Sequence, residues 1–262
     1  ARSSDGVIVG TAMTTVPEPG HTVQLTIDSA FQQAVDKALA KNIEMINSTY
    51  NTGSSAKAAA GAVVVISTKD GSVLAASNYP NYDQNLFATQ YSEYSADPGL
   101  PLLNRALQGL YTPGSTFKPC TAIAALTSDK VDLDTSTEIK CEGVFTKYAA
   151  DGYAPECWIW AQGYTHPLEN VTTALRDSCN YFFYNVGYQL ATRTGSYNEE
   201  AGLDTLSKYA DLYGLTDKSG VEIGEYAPDV STKDPVRSAI GQGSNSYTLS
   251  LIHISEPTRP RL

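Results

Sequence analysis

Gly61-Ala-Val-Val-Val-Ile66, followed by Lys69-Asp70-Gly71 and Ser72-Val-Leu-Ala-Ala76, reads as a β-hairpin. Two short apolar runs meet at an Asp-Gly turn, where glycine takes the positive φ of a tight reversal without steric cost. The first run is apolar on both faces, which predicts a strand central in a covered sheet. Upstream, Asp28 precedes Ala30, Phe31, Ala34, Val35, Ala38, Leu39, Ile43 and Ile46. That spacing behind an Asp N-cap predicts an amphipathic helix over ~29–47. Downstream, 78–104 is rich in Asn, Tyr, Asp and Pro and reads as loop. Pro113-Gly114 opens a helix from Ser115 to about Leu126, and 127–168 is irregular with room for short strands. Helices are expected at ~169–177, ~180–193 and ~200–213, the last closed by Gly214 in the left-handed conformation. A hairpin followed by a run of helices is an α+β pattern.

The chain of 262 residues is 42% hydrophobic and 18% charged, which excludes a disordered polymer and allows a substantial core. With 18 basic against 28 acidic residues the net charge is −10, the wrong sign for wrapping phosphates, so no nucleic-acid partner is expected. No apolar run reaches the ~18 residues of a membrane helix. Three histidines, at 21, 166 and 253, leave little from which to build a histidine triad. The four cysteines, at 120, 141, 157 and 179, are too few for a disulfide scaffold. Their spacing fits no CxxC pattern, so neither a metal nor a cofactor is expected.

The chemistry resides in two short motifs, each with a rival elsewhere. Ser-x-x-Lys occurs as Ser54-Ser-Ala-Lys57 and as Ser115-Thr-Phe-Lys118. A lysine activates a serine only when its amine is beside the hydroxyl, and residues i and i+3 share a helix face. Ser115 follows Pro113-Gly114 at a helix start, where free N–H groups can hold an oxyanion. Ser54 and Lys57 lie in a loop leading to a strand. The alternative for Ser115 is a plain helix cap, and for Lys118 a solvated lysine. Ser178-Cys-Asn180, with Ser196-Tyr-Asn198 as its rival, sits at a junction between two expected helices. It offers a second hydroxyl to pass a proton and an amide to hold a peptide carbonyl; its alternative is an ordinary cap.

Taken together, Val23-Gln-Leu-Thr-Ile-Asp-Ser-Ala-Phe-Gln32, Gly61–Ile66, Asn104-Arg-Ala-Leu-Gln-Gly-Leu-Tyr-Thr-Pro-Gly-Ser-Thr-Phe-Lys-Pro119, Asp177-Ser-Cys-Asn-Tyr-Phe-Phe183 and Ile240-Gly-Gln-Gly243 run in one order. That order resembles the transpeptidase domain of class B penicillin-binding proteins, and is most similar to the branch serving cell elongation. The resemblance implies a penicillin-binding/serine β-lactamase-like fold, an antiparallel sheet flanked by helices with an all-helical subdomain. It implies a D,D-transpeptidase that cross-links peptidoglycan stem peptides and is acylated by β-lactams. Ser115 would be the nucleophile, Lys118 its base, Ser178 a proton relay and Asn180 a substrate clamp. The parent would work at the extracytoplasmic face of a bacterial membrane, anchored by an N-terminal segment, with cell-wall elongation proteins including a glycosyltransferase. The alternatives are a serine β-lactamase, for which Glu200-Ala-Gly-Leu-Asp204 is a loose carboxylate match, and a non-enzymatic β-lactam sensor.

The same resemblance sets expectations for the rest of the chain. Residues 1–22 read as a linker and 23–248 as a partial transpeptidase domain. Residues 249–262, Leu-Ser-Leu-Ile-His-Ile-Ser-Glu-Pro-Thr-Arg-Pro-Arg-Leu, resemble translated sequencing adaptor and are expected to lie on the surface or outside the fold. The family's Lys-Thr/Ser-Gly strand would then be missing, and a piece without it is expected to be inactive. Lys218-Ser219-Gly220 precedes Gly241-Gln-Gly243, the wrong order for that strand, and reads as a turn. Cys141 and Cys157 bracket an excursion where the resemblance leaves either a disulfide or two reduced thiols. Cys120 and Cys179 are expected in the core as small hydrophobes, and His166, before Pro167, is expected to shape a loop.

Overall fold

The computed structural model describes residues 4–5, 20–49, 57–129, 131–149, 152–193 and 195–252. The elements run α1 (Ser29–Thr49), β1 (Gly61–Ile66), β2 (Val73–Tyr79), α2 (Phe87–Ala96), α3 (Arg105–Gln108), β3 (Leu110–Tyr111) and α4 (Lys118–Thr127). They continue with β4 (Ile139–Lys140), β5 (Leu168–Glu169), α5 (Val171–Arg176), α6 (Asn180–Thr192), α7 (Glu199–Leu212), α8 (Pro235–Ser238), β6 (Tyr247–Thr248) and α9 (Leu249–Ile252). The architecture is α+β.

The helix and hairpin stand where the apolar pattern puts them. Asp28 caps α1 by accepting from Phe31 N at 2.8 Å. β1 and β2 pair antiparallel from Gly61 opposite Tyr79 to Ile66 opposite Val73, with Gly71 at φ 75° in the connection. α1 meets β2 largely through polar side chains. Gln32 donates to Ala76 O and accepts from Ala76 N, as a neighbouring strand would, and Ser77 donates to Asp36. Ile43 is the buried residue of α1, while Phe31 and Ile46 remain exposed.

The strand Gly61–Ile66 is not central. Among the described residues β1 pairs only with β2, and Val64 is its one fully buried side chain. Val64 packs with Ala106 and Leu107 of α3, and Leu249 leans on the same small cluster. Apolarity on both faces signals burial but does not supply a second strand. The larger core is helical. Phe182, Phe183, Val186 and Leu190 of α6, Ala210 of α7 and Val236 of α8 are essentially inaccessible; all but the small Ala210 are side chains that each contribute about 1.5–3 kcal/mol when fully buried.

Three further expectations change. Residues 78–104 are not all loop: Asp83 caps a 3₁₀ turn through Asn85 N, and α2 follows. The helix rests on rings, Tyr82 against Phe87 and Tyr94, and Phe87 against Tyr91, so it lacks the aliphatic periodicity that reveals most helices. The helix expected from Ser115 begins as a 3₁₀ turn over Gly114–Phe117, and α4 starts at Lys118. Pro119 explains the shift. It has no N–H to reach Ser115 O, so Lys118 N closes a tighter i→i−3 bond to that oxygen. Finally, Leu249–Ile252 is packed, not peripheral. Leu251 is fully buried, and Ser250 donates to Glu225, so the surface expectation for 249–262 fails at its first four residues. Residues 253–262 lie outside the described residues.

Candidate active site

Ser115 is exposed on the 3₁₀ turn between β3 and α4. Two glycines shape that turn. Gly114 has φ 58°, and its N–H donates to Gly241 O at 3.0 Å. Gly241, at φ 72°, lies so close that a Cβ built on it would meet Gly114 O at 2.1 Å. The Ile240–Gly243 turn is thus the floor under Ser115. Phe117, 2% exposed, points inward and stacks on Tyr247, which anchors the turn from below.

The second motif comes from the α5–α6 junction. Asn170 and Thr173 form a reciprocal capping box that starts α5. The helix stops where Cys179 N reaches back to Ala174 O at 2.9 Å, with Ser178 in the left-handed region at φ 52°. This is glycine-cap geometry occupied by a serine. The strained residue is therefore one whose hydroxyl the site uses.

These two turns converge. Lys118 Nζ donates to Ser178 O at 2.8 Å, Ser178 Oγ at 2.9 Å and Asn180 Oδ1 at 2.6 Å, which occupies all three ammonium hydrogens. Ser178 Oγ in turn donates to Ser115 Oγ at 2.9 Å. The four residues singled out in the sequence form one continuous chain. The link between Ser115 and Lys118 runs through Ser178 instead of directly across one helical turn. Lys118 is 1% exposed and lies 5.6 Å from the centre of the Phe183 ring. Burial pulls its pKa from 10.5 down to about 8, opposed by the negative potential of Cys157 and Cys179. A buried lysine in that range exchanges its proton near neutral pH, as a base must.

The rival motifs do not join. Lys57 is exposed in the approach to β1, and Ser54 lies outside the described residues. Ser196 is exposed in a bend before α7. Lys218 is exposed in coil, and Ser219 donates through its N–H and hydroxyl to Glu225, so 218–220 is a tied loop and not a strand. Glu200 lies in the first turn of α7, on a helix as the sequence reading had it.

Beside Ser178 the fold assembles a cluster that the cysteine spacing does not announce. Cys141 follows β4, Cys157 follows the Val144–Glu156 bridge, His166 precedes β5, and Cys179 is the N-cap of α6. All four are buried, and their three sulfurs and one ring nitrogen lie within 4.8 Å of one another. Cys157 Sγ is 3.5 Å from His166 Nδ1. No disulfide joins Cys141 to Cys157; all four cysteines are free. The neighbouring Cys141 and Cys179 thiols pull the Cys157 pKa down, and those two are pushed up in return. Cys120, by contrast, is a lone buried thiol pushed up to about 12.

Three thiols and an imidazole in this arrangement suit a soft divalent cation such as Zn²⁺. Its tetrahedral shell sets ligand atoms ~3.3–3.8 Å apart, so the widest pair here, within 4.8 Å, would close by up to roughly 1–1.5 Å. The sequence reading expected no metal, with His166 shaping a loop and Cys179 in the core; the structure buries both in one cluster whose geometry could hold a cation. A cation held here would cross-link four chain segments, one of them the residue between Ser178 and Asn180. The signal was hidden because the ligands are single residues, gathered by two-residue ladders.

The family profile described as penicillin binding protein transpeptidase domain matches residues 61–256. The chain is 33% identical over 214 residues to the peptidoglycan D,D-transpeptidase MrdA of Escherichia coli K12, covering 80% of this chain and 28% of that protein. Among solved structures, one described as the structural coordination of polymerization and crosslinking by a peptidoglycan synthase complex superposes with a TM-score of 0.74 at 29% identity. It covers 96% of this chain and 44% of its own. The penicillin G acyl-enzyme complex of penicillin-binding protein A from M. tuberculosis superposes with a TM-score of 0.60 at 26% identity, covering 87% of this chain and 50% of its own. The chain thus spans under a third of the length of the curated relative.

Proposed function

Because the chain belongs to the penicillin-binding protein transpeptidase family, we propose that it is the acyl-transfer part of a peptidoglycan D,D-transpeptidase, with Ser115 as nucleophile. The Ser115–Ser178–Lys118 hydrogen-bonded chain carries this reading. Neutral Lys118 accepts the Ser178 hydroxyl proton as Ser178 takes that of Ser115, and Ser115 Oγ attacks the carbonyl of a terminal D-Ala-D-Ala amide. The returning proton leaves with D-Ala. An amine from a second stem peptide then attacks the ester, passes its proton back along the same chain and frees Ser115. Asn180, held by Lys118, clamps the donor peptide's backbone.

A β-lactam enters the same path, its strained amide opening onto Ser115 without losing a fragment, and the acyl-enzyme structure of the mycobacterial relative supports this. Cell-wall elongation proteins, including a polymerising glycosyltransferase, are proposed partners of the longer protein. So is residence at the extracytoplasmic membrane face; among the described residues no helix is long and apolar enough to cross a membrane.

The test is labelling with a fluorescent penicillin, in the longer protein and in the 262-residue chain. The longer protein is expected to form a stable adduct that Ser115→Ala abolishes. The 262-residue chain, in which no Lys-Thr/Ser-Gly follows Gly241-Gln-Gly243, should label ~10²–10³-fold more slowly or worse. Continuous turnover would point to a β-lactamase, and no Ser115-dependent labelling in the longer protein would overturn the reading.

A further inference from the structure

We infer that Glu169 is the outer partner of the Cys141–Cys157–His166–Cys179 cation site, accepting the Nε2–H of His166 and so fixing which ring nitrogen faces the thiols. Two unpaired groups carry the inference. Among the described residues, buried His166 Nε2 has no hydrogen-bond partner. Glu169 is 0% exposed, and among the same residues neither of its carboxylate oxygens has a hydrogen-bond partner. Leaving a buried carboxylate unpaired costs several kcal/mol, and native structures rarely do so. Glu169 lies three residues past His166 and is held in place by β5, where it pairs with Ile139 just ahead of Cys141.

A cation supplies what is missing. When Nδ1 binds metal, the neutral imidazole must carry its hydrogen on Nε2, which turns the orphan nitrogen into a donor aimed away from the metal. Glu169 is the buried acceptor for that donor. Metal-bound histidines regularly lean on such a carboxylate, and losing it weakens metal binding about 10–100-fold. Glu169 is thus a positioning residue. It orients His166, His166 completes the cation shell with Cys179, and Cys179 fixes the turn that carries Ser178 and Asn180. The inference concerns the cation and stands apart from the proposed reaction.

The experiment uses the reduced 262-residue chain titrated with Zn²⁺ against a competing chelator, comparing wild type with the near-isosteric Glu169→Gln and with Glu169→Asp. Wild type should bind one Zn²⁺ per chain, Glu169→Gln about 10–100-fold more weakly, and Glu169→Asp should recover most of the loss. Nitrogen-15 spectra of the zinc-loaded wild type should show His166 neutral with its hydrogen on Nε2. Absence of stoichiometric zinc in the folded wild type would overturn the inference. So would equal zinc affinity in Glu169→Gln, whether or not that variant melts lower, because a packing role alone shifts melting without shifting affinity. Circular dichroism on each variant identifies a chain that has not folded. If Glu169→Gln fails to fold, Glu169→Asp and the His166 spectrum decide: Nε2–H protonation with a small loss of zinc affinity, under about tenfold, upholds the inference, and unchanged affinity or an Nδ1–H tautomer in the zinc form removes it.

Discussion

With Lys118 as the proposed base, it is expected to set the pH behaviour of the site, and the direction follows from burial. Its pKa is near 8, so below that value the ammonium form dominates and cannot accept the serine proton. Acylation of Ser115 should rise about tenfold per pH unit below that point and level off above about 8; a flat profile from pH 6 to 9 would exclude Lys118 as the base. The same shift has a stability counterpart. The folded pKa lies below lysine's ordinary value of 10.5, so from 8 to 10.5 the unfolded chain binds more protons and this residue's contribution rises with pH. Ser178 makes the opposite kind of compromise. Its φ of 52° suits glycine, so Ser178→Gly should change thermal stability by no more than about 1 kcal/mol, strain relief offsetting the lost hydroxyl bonds and backbone entropy. Labelling should nonetheless fall by about 10²–10⁴. Parallel losses in both would mean that the hydroxyl is structural. All four residues of this chain were legible from motif chemistry; its order was not, because a sequence shows spacing and not which hydroxyl stands in the middle.

Secondary elements carry information unevenly. α1, the hairpin, α6 and α7 appear within a few residues of their expected bounds because each has strong periodicity or a strong cap. Asn198 caps α7 through Ala201 N, and Gly214 closes it at φ 74°. α2 was missed because rings replace aliphatic spacing, and the start of α4 was misplaced because Pro119 removes a single N–H. The cation cluster was missed for a related reason: β4 and β5 are two residues each, too short to leave a pattern, yet they bring Cys141 near His166. One element-level interaction can be tested directly, the contact of the Gly241 turn with the nucleophile turn. Gly241→Ala adds a methyl that clashes with Gly114 O and fixes an L-residue at φ 72°. It should cost about 1–3 kcal/mol and slow acylation. An unchanged melting temperature with unchanged labelling would show that the two turns do not support each other.

At the scale of the whole molecule, the parts of the site are collected from distant stretches of chain. Glu225 is one of the ties. It is 6% exposed and accepts from Ser219 N and Oγ, Thr248 Oγ1 and Ser250 Oγ, binding the 218–225 loop to β6 and α9. Glu225→Ala removes the shared acceptor of these donors, leaving the buried Thr248 and Ser250 hydroxyls only each other. It should cost about 3 kcal/mol or more, and a loss under about 1 kcal/mol by urea titration would contradict the clamp. β6 in turn pairs with β3, Leu110 opposite Thr248, directly before the Ser115 turn, and Thr121 on α4 donates to Ala239 O across 118 residues of sequence. These pairings have a consequence in time. Ser115 and Lys118 leave the ribosome long before Gly241 and Thr248, so for much of synthesis the proposed nucleophile and its lysine exist without a floor. Contacts between such distant segments form late, because the intervening loop must close first. The α6 core, built from near neighbours, can condense early. Reactivity at Ser115 is therefore expected to be the last property the nascent chain acquires.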